Sequence, residues 1–346
     1  MASLLTLDQV KVHFAVRRML FSTQTVRAVD GVSLSLDAGE TVSIVGESGS
    51  GKTTLGRASL RLAPITKGHL AFDGQDITSV REGKLNWFRR RAQAVFQDPY
   101  SSIDPFMDIQ QILEEPLQIH NIGDRKDRVH QALEDVRLSP AGEIAQKYPH
   151  MLSGGQRQRV GIARALILQP EYILADEPVS MIDASSRTEI LYLMRDLQDR
   201  MGIAFLYITH DIATARYFSD RIAVMYLGRV VEQGIPGEVL DEPLHPYTKA
   251  LIAAVPEADP INRLRDRPAV PGEAPSPANA PAGCHFHPRC PQFMAGQCDV
   301  IDPMLVEVRP GRFVACHLYE ETKDGHAGTE DGYEGTKAEK SDDAQT

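Results

Sequence analysis

Thr41-Val-Ser-Ile-Val45 runs directly into Gly46-Glu-Ser-Gly-Ser-Gly-Lys-Thr53, and Thr54-Leu-Gly-Arg-Ala-Ser-Leu-Arg-Leu62 follows. The β-branched apolar run predicts a buried strand, and the segment after Thr53 can continue as a helix. Gly46, Gly49 and Gly51 let the backbone wrap an anion. The exposed amides and the helix N-terminus supply partial positive charge to it. Lys52 is placed to reach β- and γ-phosphates, and the Thr53 hydroxyl to ligate Mg2+. Ser48, Ser50 and Thr54 complete the candidate binding set. A glycine-rich turn without a ligand is the alternative, but the strand before it and the helix after it are the context a P-loop needs.

Downstream, Tyr172-Ile-Leu-Ala-Asp-Glu177 is an apolar run ending in two acids. A buried strand would deliver Asp176 to the Mg2+ shell and place Glu177 one residue beyond, where it can polarise an attacking water. Two solvated carboxylates at a strand end are the bland reading. Ahead of this strand, Leu152-Ser-Gly-Gly-Gln156 precedes an amphipathic run, RQRVGIARALIL. Ser153 suits an N-cap, and Gly154 and Gly155 allow a backbone to approach a phosphate at the positive end of a helix dipole. Short Val- and Ile-rich runs alternating with helical patterns predict an α/β fold with a mainly parallel sheet. Residues 101–149 read as a helical insertion, with Ile109, Ile112, Leu113 and Leu117 on one face despite Pro116.

The 346 residues carry 37 Lys and Arg against 47 Asp and Glu, a net charge of -10, which argues against a broadly basic nucleic-acid-binding surface. No apolar stretch approaches the roughly 18 residues of a membrane span, and the N-terminus lacks a secretory pattern. Both features predict a cytoplasmic location. Residues 256–283 hold seven prolines and predict an irregular connector, while residues 319–346 hold nine acidic and three basic side chains and predict a disordered acidic tail. The expected division is therefore 1–255, 256–283, 284–318 and 319–346. All four cysteines, Cys284, Cys290, Cys298 and Cys316, follow the connector. In a reducing compartment this invites a metal reading, but the spacing contains no CxxC pair, and buried reduced thiols are the plain alternative. Four thiolates suit iron–sulfur or zinc, and His285, His287 and His317 keep mixed zinc ligation open.

Taken together, the chain resembles the nucleotide-binding subunit of an ABC transporter. LSGGQ matches that family's signature, Gln97 in VFQDP its Q-loop, Asp183 in SMIDAS its D-loop and His210 in YITHD its switch histidine. Phe14 in KVHF is the candidate for stacking on adenine, although Met19–Val26 looks like an insertion and Phe21 competes; a core aromatic is the alternative for both. The resemblance implies a P-loop ATPase core with an antiparallel β subdomain and a helical subdomain at about 98–165. It further implies ATP and Mg2+ held by Gly46–Thr54, Gln97 and Asp176, with Glu177, His210 and Gln97 at the γ-phosphate. Ser153, Gly154, Gly155 and Gln156 would serve the ATP of a second cassette paired head to tail.

The stretches VRAVDGVSLSLDAGETVSIVGESGSGKTTLGR, VFQDPYSSIDPFMDI and HPYTKALIAAVP are most similar to the second ATPase paralogue of oligopeptide and dipeptide importers. This likeness runs from about residue 5 to 318. It implies a paralogous ATPase partner, two permease subunits, an extracellular solute-binding protein and a peripheral position on the cytoplasmic membrane face. Oligosaccharide or nickel import by the same machinery is the alternative, and a soluble ABC ATPase of DNA repair or translation a remoter one. GCHFHPRCP resembles the C-terminal region of these ATPases and implies a 4Fe-4S cluster on the four cysteines, with zinc as the alternative. The chain departs from the family at Met181-Ile182, where Ala-Leu is usual; an apolar pair of similar or larger volume predicts repacking at the dimer seam.

Overall fold

The computed structural model describes residues 3–19, 22–98, 103–255, 272–273 and 275–324. Phe21, most of the proline-rich connector and the acidic stretch after residue 324 lie outside the described residues.

The chain opens with two 15-residue strands, β1 (Leu5–Met19) and β2 (Ser22–Leu36), paired antiparallel so that Phe14 faces Val26. Met19 and Ser22, within the stretch expected to be an insertion, pair at the far end of this hairpin. β3 (Thr41–Val45) is fully buried and leads through the glycine turn into α1 (Lys52–Ser59). β4 (Lys67–Phe72) and β5 (Gln75–Asp76) complete a small antiparallel sheet of order β2-β1-β4-β5. After α2 (Asn86–Arg91) and β6 (Ala92–Val95) come four helices: α3 (Ile109–Ile119), α4 (Arg125–Asp135), α5 (Ala141–Ala145) and α6 (Gly154–Leu166). Asp108 caps α3 with a reciprocal Gln111 bond, and the expected Ile109, Ile112, Leu113 and Leu117 face is buried.

β7 (Tyr172–Asp176), α7 (Ala184–Met201), β8 (Ala204–Ile208), α8 (Ile212–Phe218) and β9 (Arg221–Tyr226) then alternate. β10 (Arg229–Gly234), α9 (Pro236–Asp241) and α10 (Pro246–Ala253) follow. The last strands, β11 (Val306–Arg309) and β12 (Arg312–Val314), join the same large sheet, whose order is β11-β12-β10-β9-β3-β8-β7-β6. Its β9-β3-β8-β7-β6 half is parallel and its other pairings are antiparallel. One apolar core lies between this sheet and the helices α3–α7, a second between the two sheets around α1, and a third joins β9 and β10 to α8, α9, Tyr247 and Phe286. Each fully buried Leu, Ile or Phe there contributes about 1.5–3 kcal/mol relative to exposure.

The cysteine-containing segment is therefore an extension of the large sheet. β12 pairs with β10, placing Arg312 2.5 Å from Glu232, both buried. Glu232 also accepts the backbone N–H groups of Leu244 and His245, fixing the start of α10. Tyr319 to Asp324, expected in the tail, belong to a 3-10 turn that begins at His317.

Candidate nucleotide site

The site forms where three adjacent parallel strands end together. β8 lies between β3 and β7, Asp176 is level with Ile208, and the Thr209 N–H donates to the Ile44 carbonyl. The chain therefore delivers the turn after Val45, the acids at the end of β7 and His210 to one edge of the sheet, the usual place for a ligand in an open α/β sheet.

Two glycines of the turn are forced by space. Gly46 has φ +153°, and a Cβ there would fall 2.2 Å from the Met225 carbonyl oxygen; at Gly51, φ +101°, the clash would be 2.1 Å from the Ala28 carbonyl. Lys52 is buried, and its Nζ donates to the carbonyls of Gly46 and Glu47, both at 2.8 Å. Burial holds its pKa below the usual lysine value, opposed by the charges of Glu177, Asp176 and Glu47. Thr53 Oγ1 donates to Asp176 Oδ1 at 3.1 Å. Asp176 is buried, and desolvation, with the neighbouring Glu177 charge, raises its pKa.

Glu177 is held in the left-handed region, φ +49°, with its N–H bonded to the Ile208 carbonyl at 2.9 Å. A bulky residue is seldom found there, and this turn sends its side chain to His210, whose Nδ1 lies 3.1 Å from Glu177 Oε1. A cavity of ≈ 700 Å3 is lined by Phe14, Ser48, Gly49, Gly51, Lys52, Thr53, Thr54, Gln97, Glu177 and His210. Phe14 is 37% exposed within it, so this aromatic faces the cavity rather than the core. Ser50 is buried and its Oγ has no hydrogen-bond partner in the described structure. An orphaned hydroxyl, an amide-lined turn and a Thr–Asp pair of hard oxygen donors fit a polyphosphate with Mg2+.

Ser153 caps α6 as expected: its Oγ accepts the Gln156 N–H at 3.2 Å, and Gln156 Oε1 accepts the Ser153 N–H at 2.9 Å. Ser153, Gly154, Gly155 and Gln156 are nevertheless absent from the lining of that cavity. Ser153 is exposed, and Gly154 faces open space. Asp183 caps α7 instead of lining the cavity, accepting from the Ser186 N–H and the Ser185 hydroxyl; these bonds lower its pKa to about 2. Met181, at the departure noted above, is 62% exposed, whereas Ile182 is buried.

The expected metal centre at the cysteines is overturned. Among the described residues no group of three or more His, Cys, Asp or Glu side chains could hold a metal ion, and Cys284, Cys290, Cys298 and Cys316 are free thiols. Burial pushes Cys284 up to about 11 and Cys316 up to about 12. Neither the 4Fe-4S cluster nor zinc is supported. The crosslink that a small apolar-poor segment needs is supplied by strand pairing, the Arg312–Glu232 contact and the buried ring of Phe286.

Sequence reasoning missed a set of residues behind the turn. Glu47 donates its N–H to Tyr247 Oη at 2.8 Å, and its carboxylate lies 3.2 Å from Arg289 Nη1. HPYTKALIAAVP marked a lineage, but no local signal tied Tyr247 to residue 47.

The strand-end turn, the buried Thr–Asp pair and the aromatic-walled cavity define a P-loop nucleotide-binding protein. Comparison with known proteins narrows this: the ABC transporter family matches residues 29–180, and the C-terminal region of oligopeptide/dipeptide transporters matches residues 231–298. The oligopeptide transport ATP-binding protein AppF of Bacillus subtilis is 46% identical over 324 residues, 92% of this chain and 98% of its own. Among solved structures, the ATP-binding cassette MJ0796, in a dimeric post-hydrolysis state bound to ADP and Pi, matches with TM-score 0.60 at 31% identity. It covers 67% of this chain and 98% of its own. The cbiO1 protein of Clostridium perfringens, part of the ABC transporter complex cbiONQ, matches with TM-score 0.60 at 28% identity, covering 70% and 92%. The chain belongs to the ABC transporter ATP-binding proteins, in the oligopeptide transport branch. It is an ATP-binding, ATP-hydrolysing subunit associated with membrane permease partners. No helix among the described residues is long and apolar enough to cross a membrane.

Proposed function

We propose that this subunit drives uptake of oligopeptides or dipeptides by hydrolysing ATP at a site it shares with a second cassette. The observation that carries the shared site is the separation just described. One chain gathers Lys52, Thr53, Glu177 and His210 around a cavity, with Asp176 bonded to Thr53 behind it, yet leaves its Ser153-capped helix tip outside that cavity. The tip has a cap, glycines and a helix N-terminus, all suited to a phosphate. A second cassette placed head to tail would bring such a tip over each cavity. The dimeric state of the MJ0796 cassette bound to ADP and Pi supports the pairing of two cassettes.

Within the cavity, Ser48, Gly49, Gly51 and Thr54 line the phosphate path, with Gly46 and Ser50 completing the turn behind it, Lys52 neutralises its charge, and Phe14 offers a ring to the base. Thr53 and Asp176, with Gln97 beside them, would hold Mg2+, which when bound neutralises charge on the β- and γ-phosphates. Glu177 accepts the proton of the attacking water, and His210 holds Glu177 oriented and meets the γ-phosphate side. Ser153, Gly154, Gly155 and Gln156 contact the opposite nucleotide, and Asp183 sits at the seam between cassettes. Closure follows from nucleotide contacts made to both faces at once, and loss of the γ-phosphate weakens them.

The partners in this reading are a paralogous ATPase, two permease subunits and an extracellular solute-binding protein, with the chain on the cytoplasmic membrane face. Reconstituted vesicles containing all five chains should accumulate labelled di- to pentapeptides only with ATP. Accumulation of nickel or oligosaccharides in place of peptides would redirect the substrate assignment, and co-purification with ribosomes or DNA in place of permeases would overturn transport.

A further inference from the structure

Every polar group of Glu47, the second residue of the glycine turn, is engaged. Its N–H goes to Tyr247 Oη, its carbonyl accepts Lys52 Nζ at 2.8 Å, and its carboxylate faces Arg289. Tyr247 and Arg289 both lie in the stretch that matches the C-terminal region of oligopeptide/dipeptide transporters. Tyr247 lies on α10, and Arg289 on the 3-10 turn His287–Arg289. Neither is free to drift. Tyr226, Tyr247 and Phe286 are each at most 1% exposed and form a ring cluster, with centroids 4.5 Å apart for Tyr226–Tyr247 and 5.3 Å for Tyr226–Phe286. Arg289 is 9% exposed, lies against the Phe286 ring and donates to Tyr226 Oη at 3.4 Å.

A carboxylate at this point is an electrostatic liability. It stands at the base of a turn built to receive a tetra-anion, and its own carbonyl holds the lysine that attracts that anion. An unpaired charge there repels the ligand over several ångströms, and partial burial weakens the screening by solvent. We infer that Arg289 masks the Glu47 carboxylate, and that with Tyr247 it makes the C-terminal segment a positioning element that sets the affinity of the P-loop for ATP. Arg289 and Tyr247 are positioning residues in this inference, since neither lines the nucleotide cavity. The inference rests on ATP binding at Gly46–Thr53.

The test is equilibrium ATP binding by the purified full chain, read by displacement of a fluorescent ATP analogue, for Arg289→Ala, Glu47→Gln, Arg289→Ala/Glu47→Gln and Arg289→Lys. Masking predicts about tenfold weaker ATP binding for Arg289→Ala, equivalent to about 1.4 kcal/mol. Glu47→Gln should bind about twofold tighter than the parent, and the double variant should return to within about threefold of it. The deficit of Arg289→Ala should shrink between about 0.05 and 0.5 M salt, and Arg289→Lys should recover most of it. A purely structural role predicts otherwise: the double variant would stay as weak as Arg289→Ala, and that result overturns the inference. So does an affinity within twofold of the parent for Arg289→Ala. If Arg289→Ala does not fold, Glu47→Gln and Arg289→Lys carry the decision: looser binding by Glu47→Gln, or loss of affinity in Arg289→Lys equal to Lys52→Ala, overturns it. Lys52→Ala separates the premises. Unaltered ATP binding in that variant removes the nucleotide reading itself, whereas its loss beside an unaffected Arg289→Ala removes only the masking.

Discussion

At the cavity end of the large sheet each charged side chain already faces a neighbour from its own chain, while at the tip of α6 the chain satisfies only itself. Lys52 is tied to Gly46 and Glu47, Asp176 to Thr53, and Glu177 to His210. Ser153 bonds within its own first turn, Asp183 does the same at α7, and Met181 beside it is 62% exposed. The two regions have equally well-made local structure but opposite degrees of enclosure. That difference teaches that local order at a motif does not locate its ligand: a cap can be complete while the surface it shapes is still one half of a site.

The strongest way to break the comparison is to remove chemistry from the enclosed region alone. Glu177→Gln keeps the side-chain volume and the partner for His210 but cannot take a proton. ATP turnover in the assembled transporter should fall about 10^3-fold, with ATP retained on the protein, measured as unhydrolysed nucleotide after rapid desalting. Turnover at the parent rate would mean that Glu177, for all its strained φ of +49°, is a structural acid.

A second variant acts on the open region alone. Ser153→Glu keeps an acceptor near the α6 N-terminus but adds a negative charge where a phosphate is expected. Turnover in the assembled transporter should drop about 100-fold, in line with loss of a phosphate-stabilising contact. ATP affinity of the isolated chain should change less than turnover by at least an order of magnitude. Equal losses in both measurements would place Ser153 at the chain's own nucleotide and erase the distinction between the two regions.

This contrast also explains what could be read from the chain in advance. Motifs confined to a strand end and the turn after it, such as Gly46–Thr53 and Asp176–Glu177, carry their geometry in consecutive residues, and the parallel sheet then brings them together. Phe14 was harder, since its place depends on the length of the β1–β2 hairpin, yet it reaches the cavity. The hold on Glu47 was not legible: Tyr247 and Arg289 lie 200 and 242 residues away, and only the packing of Phe286 under Tyr226 brings them there. The cysteines misled for the converse reason. Four thiols within one short segment suggested a metal, but the segment is tied down by β11, β12 and short turns, and among the described residues no group of three or more ligating side chains forms.

The smallest effect sharpens the comparison through stability. Asp176 is buried, and its pKa in the folded chain is raised above the ordinary value of 3.8, first by desolvation and further by Glu177. The sign follows from proton linkage. Below the unfolded value both states are protonated and the group costs nothing; as pH rises toward the folded value the unfolded chain ionises first, and above it the full cost is present. At neutral pH the enclosed region therefore destabilises the fold in return for a metal-ready carboxylate. Asp176→Asn removes the charge and keeps an acceptor for the Thr53 hydroxyl, so the nucleotide-free chain should melt about 2 °C higher at pH 7, with the gain vanishing toward pH 4. Mg2+ with ATP should then add less stabilisation than it does to the parent. The open tip has no titratable side chain between Ser153 and Gln156, so Ser153→Ala should lower stability by about 1 kcal/mol through the lost cap, by the same amount at both pH values. Calorimetry at pH 4 and pH 7 compares them directly: a pH-dependent gain confined to Asp176→Asn upholds the contrast, and a destabilised Asp176→Asn at neutral pH breaks it.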